Sequence, residues 1–269
     1  MPNHRHISPF RYPGGKAWLV DEMLRRLVRV RLPDRFVEPF AGGATIGLSV
    51  ARVFNIPDVV LIERDPDVAA VWQCILGDDA TTLMDMIKDF DCTAEHARAV
   101  LDTVPKTNTE HAFRTIVQNR VCYGSAITAE AGLLKDVACR WYPKTIVKRI
   151  EAIWSMRDRI GFLHQDGMAY LKKHARSRHT CYYIDPPYSQ YGRKRQRRLY
   201  NFDHIDAGEL LSICSALKGS FWLSYDNSEG IRSLAEGHDF HVVELRTKNV
   251  SNVIKTELLI TNHPDPFDA

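Results

Sequence analysis

The sequence predicts an α/β domain: a doubly wound, mainly parallel β-sheet with helices on both faces, closed by an antiparallel hairpin and interrupted by an all-helical insertion. Three observations carry this expectation. Short apolar runs alternate with helical patterns at both ends of the chain, the rhythm of a parallel sheet. From about residue 80 to 160 that alternation stops, and only helical patterns remain. The last two strand-like runs, FHVVELR and TELLIT, are joined by TKNVSNVIK, as in a hairpin.

Taken in order, Trp18, Leu19, Met23, Leu24, Leu27 and Val28 recur at helical spacing after YPGGK. RFVEPF (35–40) reads as a strand and AGGATIGLSVARVF as a glycine turn opening a helix. DVVLIERD (58–65) is a second buried strand ending in acid, and residues 67–76 form a helix. TTLMDMIKDF, TAEHARAVLDTV, TEHAFRTIVQNRV and PKTIVKRIEAIWSMRDRI are four helical patterns. GFLHQD, TCYYI (180–184) and SFWLSY then read as strands, separated by the helices GMAYLKKHA and DAGELLSICSALK and followed by SEGIRSLAE. Residues 1–74 and 156–269 therefore make one domain, and 75–155 an inserted one.

The chain has 269 residues, enough for a sizeable core; 26% are charged and 45% hydrophobic, an ordinary soluble composition. A net charge of +3 is too small to argue for nucleic acid, so the distribution of charge must do it. The cysteines at 74, 92, 122, 139, 181 and 214 show no CxxC spacing. That argues against zinc ribbons and thioredoxin-type redox sites and fits a reducing cytoplasm. The segment MPNHRHISPF has no apolar signal core, and no apolar run approaches the ~20 residues of a membrane span.

In a doubly wound sheet, ligands sit outside the carboxyl ends of the strands. Glu38 (before Pro39), Asp65 and Asp185 fall there. The glycines of EPFAGGA let a ligand approach the backbone, and the helix that follows presents free N–H groups. Asp65, at dinucleotide-like spacing, is placed for ribose hydroxyls. Asp166 in QDGMAY suits an adenine amino group, with Met168 near the ring, and equally suits a helix N-cap; the two are not exclusive. RYPGGKAW alone reads as a loop and a helix start. DPPY is the sharpest signal. The Asp185 carboxylate and the Pro186 carbonyl offer two acceptors in a rigid frame, matching the two donors of a planar –NH₂ group, and Tyr188 offers a face for stacking a base. Held this way, the amine keeps its lone pair for attack on an electrophile. A proline turn with a capping aspartate is the plain structural alternative. The basic run RKRQRR follows a few residues later and suits phosphates.

In this order the motifs resemble the Dam-like DNA adenine-N6 methyltransferases. RYPGGK is similar to the N-terminal motif of that family, EPFAGGA to its first nucleoside motif, LIERD to its ribose motif, NRVCYG (119–124) to a signature of its target-recognition domain, DPPY to its catalytic motif, and LYNF with ELL to the segment after it. The resemblance spans about residues 8–262. It implies a Rossmann-like catalytic domain with a helical target-recognition domain, and a site-specific adenine methyltransferase acting on double-stranded DNA. S-adenosylmethionine would be the donor, the target adenine would be flipped out, and no metal would be needed. It also implies a prokaryotic or phage-encoded cytoplasmic protein of the restriction-modification type.

By the same resemblance, Tyr12 and Lys16 hold the donor's amino-acid end, Phe40 and Gly42 line its cleft, Asp65 takes the ribose and Asp166 the adenine. Asp185 borders the donor and, with Pro186, Pro187 and Tyr188, carries catalysis. Asn119, Arg120 and Tyr123 would meet DNA, as would Arg193, Lys194, Arg195, Arg197 and Arg198. An RNA adenine or guanine methyltransferase and a catalytically inactive nucleic-acid-binding module are the competing readings. The GGK motif and the insertion favour DNA, and every catalytic position holds a competent residue. Two departures stand out. Ala44 occupies a position where the family often has glycine. After NRVCYG the chain continues SAITAEAGLL, with Thr128 and Glu130 where relatives carry an Arg-x-Asn pattern.

Overall fold

The computed structural model describes residues 6–11, 14–128, 131–187, 205–248 and 254–264. A seven-stranded sheet runs in the order β3-β2-β1-β4-β5-β7-β6. Its strands are β1 (Arg35–Glu38), β2 (Asp58–Glu63), β3 (Ile160–His164), β4 (Thr180–Ile184), β5 (Ser220–Asp226), β6 (His241–Lys248) and β7 (Ile254–Thr261). The first five are mutually parallel, and β7 lies antiparallel between β5 and β6. Strand order reverses between β1 and β4, which opens a crevice at their carboxyl ends.

Residues alternate between the two faces, as the pleat requires. Phe36, Val59, Leu61, Cys181, Tyr183, Trp222 and Leu259 join one hydrophobic cluster. Val37, Val60, Ile62, Tyr182, Ile184, Phe221, Leu223, Leu258 and Ile260 join the other. The first face is covered by α1 (Val20–Arg29), α2 (Thr45–Val53) and α3 (Pro66–Leu76). The second is covered by α8 (Gly167–Lys173), α9 (Ala207–Ala216) and α10 (Glu229–Gly237).

Between α3 and β3 run α4 (Ala80–Asp89), α5 (Ala94–Asp102), α6 (Asn108–Val121) and α7 (Pro143–Trp154). The expected helical texture is therefore found, and among the described residues the only β pairing in this stretch is a bridge between Cys122 and Leu133. Local chemistry sets the helix starts. Thr107 and Glu110 form a reciprocal capping box at α6, and Pro143 opens α7. The insertion does not form a core of its own. Ile116, Val117, Ile146 and Ile150 belong to the same cluster as the first sheet face, so the inserted helices and the sheet share one apolar interior. No helix among the described residues is long and apolar enough to cross a membrane.

Candidate active site

The first sheet face carries polar side chains along one end of five neighbouring strands: Glu63, Glu38, Asp185 and Ser224 at or near the carboxyl ends of β2, β1, β4 and β5, and Glu257 in the amino-terminal half of the antiparallel β7. Each has the strand parity of a residue in the first cluster, which is why all five look the same way.

At the β1 end, Glu38 is buried and its Oε2 accepts the Gly47 N–H at 2.7 Å. Burial pushes this carboxyl well above its ordinary range, the Gly47 N–H opposes the rise, and the nearby Asp185 adds to it. The Ala41–Ala44 turn follows. Gly42 (φ 44°) and Ala44 (φ 50°) both adopt left-handed geometry, which is the physical reason glycine is the easier residue at position 44. Ala44 also supplies no side-chain cap to α2. The Gly42 N–H donates to Glu63 Oε2 at 2.8 Å, and the Trp72 indole donates to the Gly42 carbonyl at 2.9 Å, so the turn is pinned on both sides.

Glu63 is the acid that occupies the end of β2. Its Oε1 accepts the N–H groups of Arg64 at 2.7 Å and Asp65 at 2.8 Å. Burial raises its pKa, against the pull of these N–H groups. Asp65, expected to face a ribose, is buried two residues further on and caps α3 through Asp67 N at 2.9 Å. Glu63, at the end of the strand, is an acid that the sequence reading did not single out. Asp166 caps α8 through Ala169 N at 2.8 Å, as one of its two sequence readings had it, and its Oδ2 faces Arg64 at 3.3 Å. Phe40 lies against the start of α8. There an added Cβ on Gly167 would stand 2.1 Å from the Pro39 carbonyl oxygen and 2.8 Å from the Phe40 ring.

Asp185 and Pro186 follow β4 directly. Lys16 is 5% exposed and reaches Asp185 Oδ1 at 2.9 Å and Glu257 Oε2 at 3.6 Å. Ser224 Oγ donates to the same Asp185 Oδ1 at 2.9 Å and sits 3.0 Å from the Tyr183 hydroxyl. Among the described residues no hydrogen bond reaches Asp185 Oδ2, and the side chain is 22% exposed. Sequence reasoning found Lys16 and Asp185 but missed their pairing, and it missed Ser224, Tyr183 and Glu257. The motifs carrying these residues lie far apart in the chain; strand register gathers Tyr183, Asp185, Ser224 and Glu257, and the segment before α1 brings Lys16 to them.

Two expectations for the insertion require correction. Asn119 (1% exposed) and Arg120 (3% exposed), read as DNA contacts, are buried. Asn119 bonds to Arg11 and Ser125, and an Arg120 Nη2 hydrogen bond goes to the Pro9 carbonyl. Arg149 adds a bond to the Ser8 carbonyl at 2.9 Å. Burial, with Arg149 and Arg11 close by, lowers the Arg120 pKa to about 9. These side chains clamp the segment that leads to Lys16. Thr128 is likewise buried, and its carbonyl accepts from Gln118 Nε2 at 2.8 Å. Tyr123 is 45% exposed, at the end of α6. Tyr12, Tyr188, Glu130 and the run Arg193–Arg198 lie outside the described residues.

Residues 12–249 match the protein family described as D12 class N6 adenine-specific DNA methyltransferase. A search of curated proteins finds no significant match. Among solved structures, similar ones include a precorrin-6y C5,15-methyltransferase from Geobacter metallireducens (TM-score 0.38, 10% identity, covering 91% of this chain and 86% of that one). Another is the methyltransferase domain of bacterial CtHen1 (TM-score 0.38, 10% identity, 90% and 96%). A third is a SAM-dependent O-methyltransferase from Thermotoga maritima (TM-score 0.37, 10% identity, 93% and 65%).

Proposed function

Because this chain belongs to the D12 class of N6 adenine-specific DNA methyltransferases, we propose that its catalytic centre is the crevice between β1 and β4, with Asp185 and the Pro186 carbonyl as acceptors for the target amine. S-adenosylmethionine is the methyl donor and DNA the substrate. The observation that carries the assignment is the division of labour on Asp185: Oδ1 is engaged by Lys16 and Ser224, and Oδ2 accepts no hydrogen bond among the described residues.

Three features suit this donor. The Ala41–Ala44 turn leads into a helix with no side-chain cap, Glu63 supplies a carboxylate beside that turn, and Gly167 leaves the Asp166 corner without a side chain. Bound there, S-adenosylmethionine supplies an electrophilic methyl group on a sulfonium sulfur. Phe40 and Gly42 line the cleft, and Asp65 and Asp166 flank it from the tops of α3 and α8. Lys16, which reaches Asp185, Glu257 and the Gly14 carbonyl, is read as the cation beside the carboxylate of the donor's amino-acid end. Tyr12 is read as its companion there.

An adenine amine is conjugated with its ring and is a poor nucleophile. Two acceptors aimed at its N–H bonds localise the lone pair as the nitrogen turns tetrahedral, and they stabilise the charge that develops. Alignment in the crevice supplies the rest through proximity. The amine cannot be reached inside a duplex, so the adenine of double-stranded DNA is flipped out, to be received on Tyr188 with Pro187 stiffening the turn. We read the insertion, residues 75–155, as the target-recognition domain, with the exposed Tyr123 on its DNA side. Arg193, Lys194, Arg195, Arg197 and Arg198 are read as phosphate contacts. The six free cysteines suit the reducing cytoplasm of a prokaryote or phage-infected cell.

The test is methyl transfer to DNA by Asp185→Ala, with donor binding followed by calorimetry. A rate loss of ~10²–10³ with donor affinity kept is expected. Activity above a tenth of wild type would remove Asp185 from the mechanism.

A further inference from the structure

Among the described residues, no hydrogen bond or ion pair to Asp185 ends on Oδ2; both known contacts end on Oδ1. The reason lies in strand register. Tyr183 pairs with Trp222 and Ile184 with Leu223 across the parallel β4–β5 ladder, so the next pair along brings Asp185 beside Ser224. Tyr183, Asp185 and Ser224 share the face that looks toward Lys16.

The direction of the hydrogen bonds is fixed by counting protons. A serine hydroxyl has one hydrogen, and an ionised carboxylate only accepts. Ser224 donates that hydrogen to Asp185 Oδ1, so the 3.0 Å contact with Tyr183 must be a donation from the phenol to Ser224 Oγ. Burial, reinforced by Asp185, holds the Tyr183 phenol well above its ordinary pKa, which keeps that proton in place. Tyr183 is 0% exposed and Ser224 1%, so water does not compete for either hydroxyl.

We infer that Tyr183 and Ser224 are positioning residues, a buried hydrogen-bond chain that fixes the rotation of the Asp185 carboxylate so that Oδ2 is the oxygen presented to the target amine. Lys16 engages the same Oδ1 at 2.9 Å, and Glu257 lies 3.6 Å from Lys16. A carboxylate free to rotate would present either oxygen, at varying angles, and the acceptor pair with Pro186 would lose its preorganisation. The inference rests on the assignment of Asp185 to the target amine.

The experiment is a double-mutant cycle with Ser224→Ala and Tyr183→Phe, measuring single-turnover methylation, donor affinity and DNA affinity. Removing Ser224's hydroxyl is expected to slow methyl transfer roughly tenfold, the equivalent of one hydrogen bond to a charged group. Donor and DNA affinities should stay within about twofold, because the chain acts on geometry realised in the transition state. Tyr183→Phe, nearly isosteric, should slow the step about threefold on its own and add nothing in the Ser224→Ala background, because it acts only through Ser224. Losses that multiply in the double variant, or a Ser224→Ala enzyme within twofold of wild type, would overturn the inference. So would a loss confined to donor or DNA affinity. Asp185→Ala assayed alongside separates the two levels: if it stays active, the assignment of Asp185 fails; if it is dead while the cycle is additive, only the positioning chain fails.

Discussion

Asn119 holds Arg11 by both its backbone groups: Oδ1 accepts the Arg11 N–H at 2.9 Å and Nδ2 donates to the Arg11 carbonyl at 3.2 Å. The remaining Nδ2 hydrogen goes to the Ser125 carbonyl at 3.0 Å. One side chain in the insertion thus ties down the strand of chain that precedes Lys16. Asn119→Ala leaves the buried Ser125 carbonyl and the part-buried Arg11 backbone groups without this partner. We expect a loss of about 3 kcal/mol, read from urea unfolding. The salt dependence of DNA affinity should not change, because no phosphate contact is lost. Unaltered stability with a flatter salt slope would return Asn119 to the DNA surface.

Gly167 is a matter of room. An alanine methyl there would collide with the Pro39 carbonyl, pushing α8 away from the end of β1. Gly167→Ala should lower stability by about 1–3 kcal/mol. It should also weaken S-adenosylmethionine binding roughly tenfold, as a misfit of about 1.4 kcal/mol would. A thermal melt and a calorimetric titration check both. Wild-type values in the two would mean that α8 takes no part in shaping the donor cleft.

Glu38 sets a pH dependence of stability. Its folded pKa is raised, chiefly by burial, above the ~4.3 of an unfolded glutamate. The folded state therefore keeps a proton that the unfolded chain has released. The resulting contribution is fully present below the unfolded pKa and is lost as pH rises through the folded one. Glu38→Gln keeps an acceptor for Gly47 N–H and removes the titration. Its stability relative to wild type should therefore climb from pH 4 upward and then level off. A difference that stays constant from acid to neutral pH in urea titrations would refute this.

Target choice is the fourth expectation. The segment after NRVCYG lacks the arginine and asparagine with which GATC-specific relatives are read as contacting bases, and Thr128 is buried. Each absent bidentate contact removes ~1–3 kcal/mol of discrimination. We expect a different or relaxed target. Plasmid from a methylation-free host, treated with enzyme and donor, should either remain cleavable by a nuclease that adenine-methylated GATC blocks or show adenine methylation outside GATC on sequencing. Full protection at GATC with negligible methylation elsewhere would contradict it.

The fold was legible because its signals are local and periodic. Alternation marked the strands, helical spacing marked the insertion, and the hairpin followed from two adjacent strand-like runs. Asp185 and Lys16 were legible because motifs of unusual composition carry them. Ser224 and Glu257 were not, since a serine in SFWLSY and a glutamate in TELLIT carry no local mark. Pairing of β5 with β4 brings Ser224 to Asp185, and the place of β7 beside β5 brings Glu257 to Lys16. Asn119 and Arg120 misled for the opposite reason. Polar residues in a recognisable signature invite a functional reading, and nothing in the sequence reveals that their partners are the backbone of Pro9 and Arg11.

The place of β7 between β5 and β6 has a consequence for biosynthesis. Lys16 leaves the ribosome early, Asp185 much later and Glu257 later still. Until β7 emerges and slots between its neighbours, β5 has an open edge and Lys16 lacks Glu257. Contacts this distant in sequence form late, after the loops that separate them have closed. A growing chain thus carries most of its crevice well before that crevice is complete, and the Glu257 contact to Lys16 arrives only with the strand that is threaded in last.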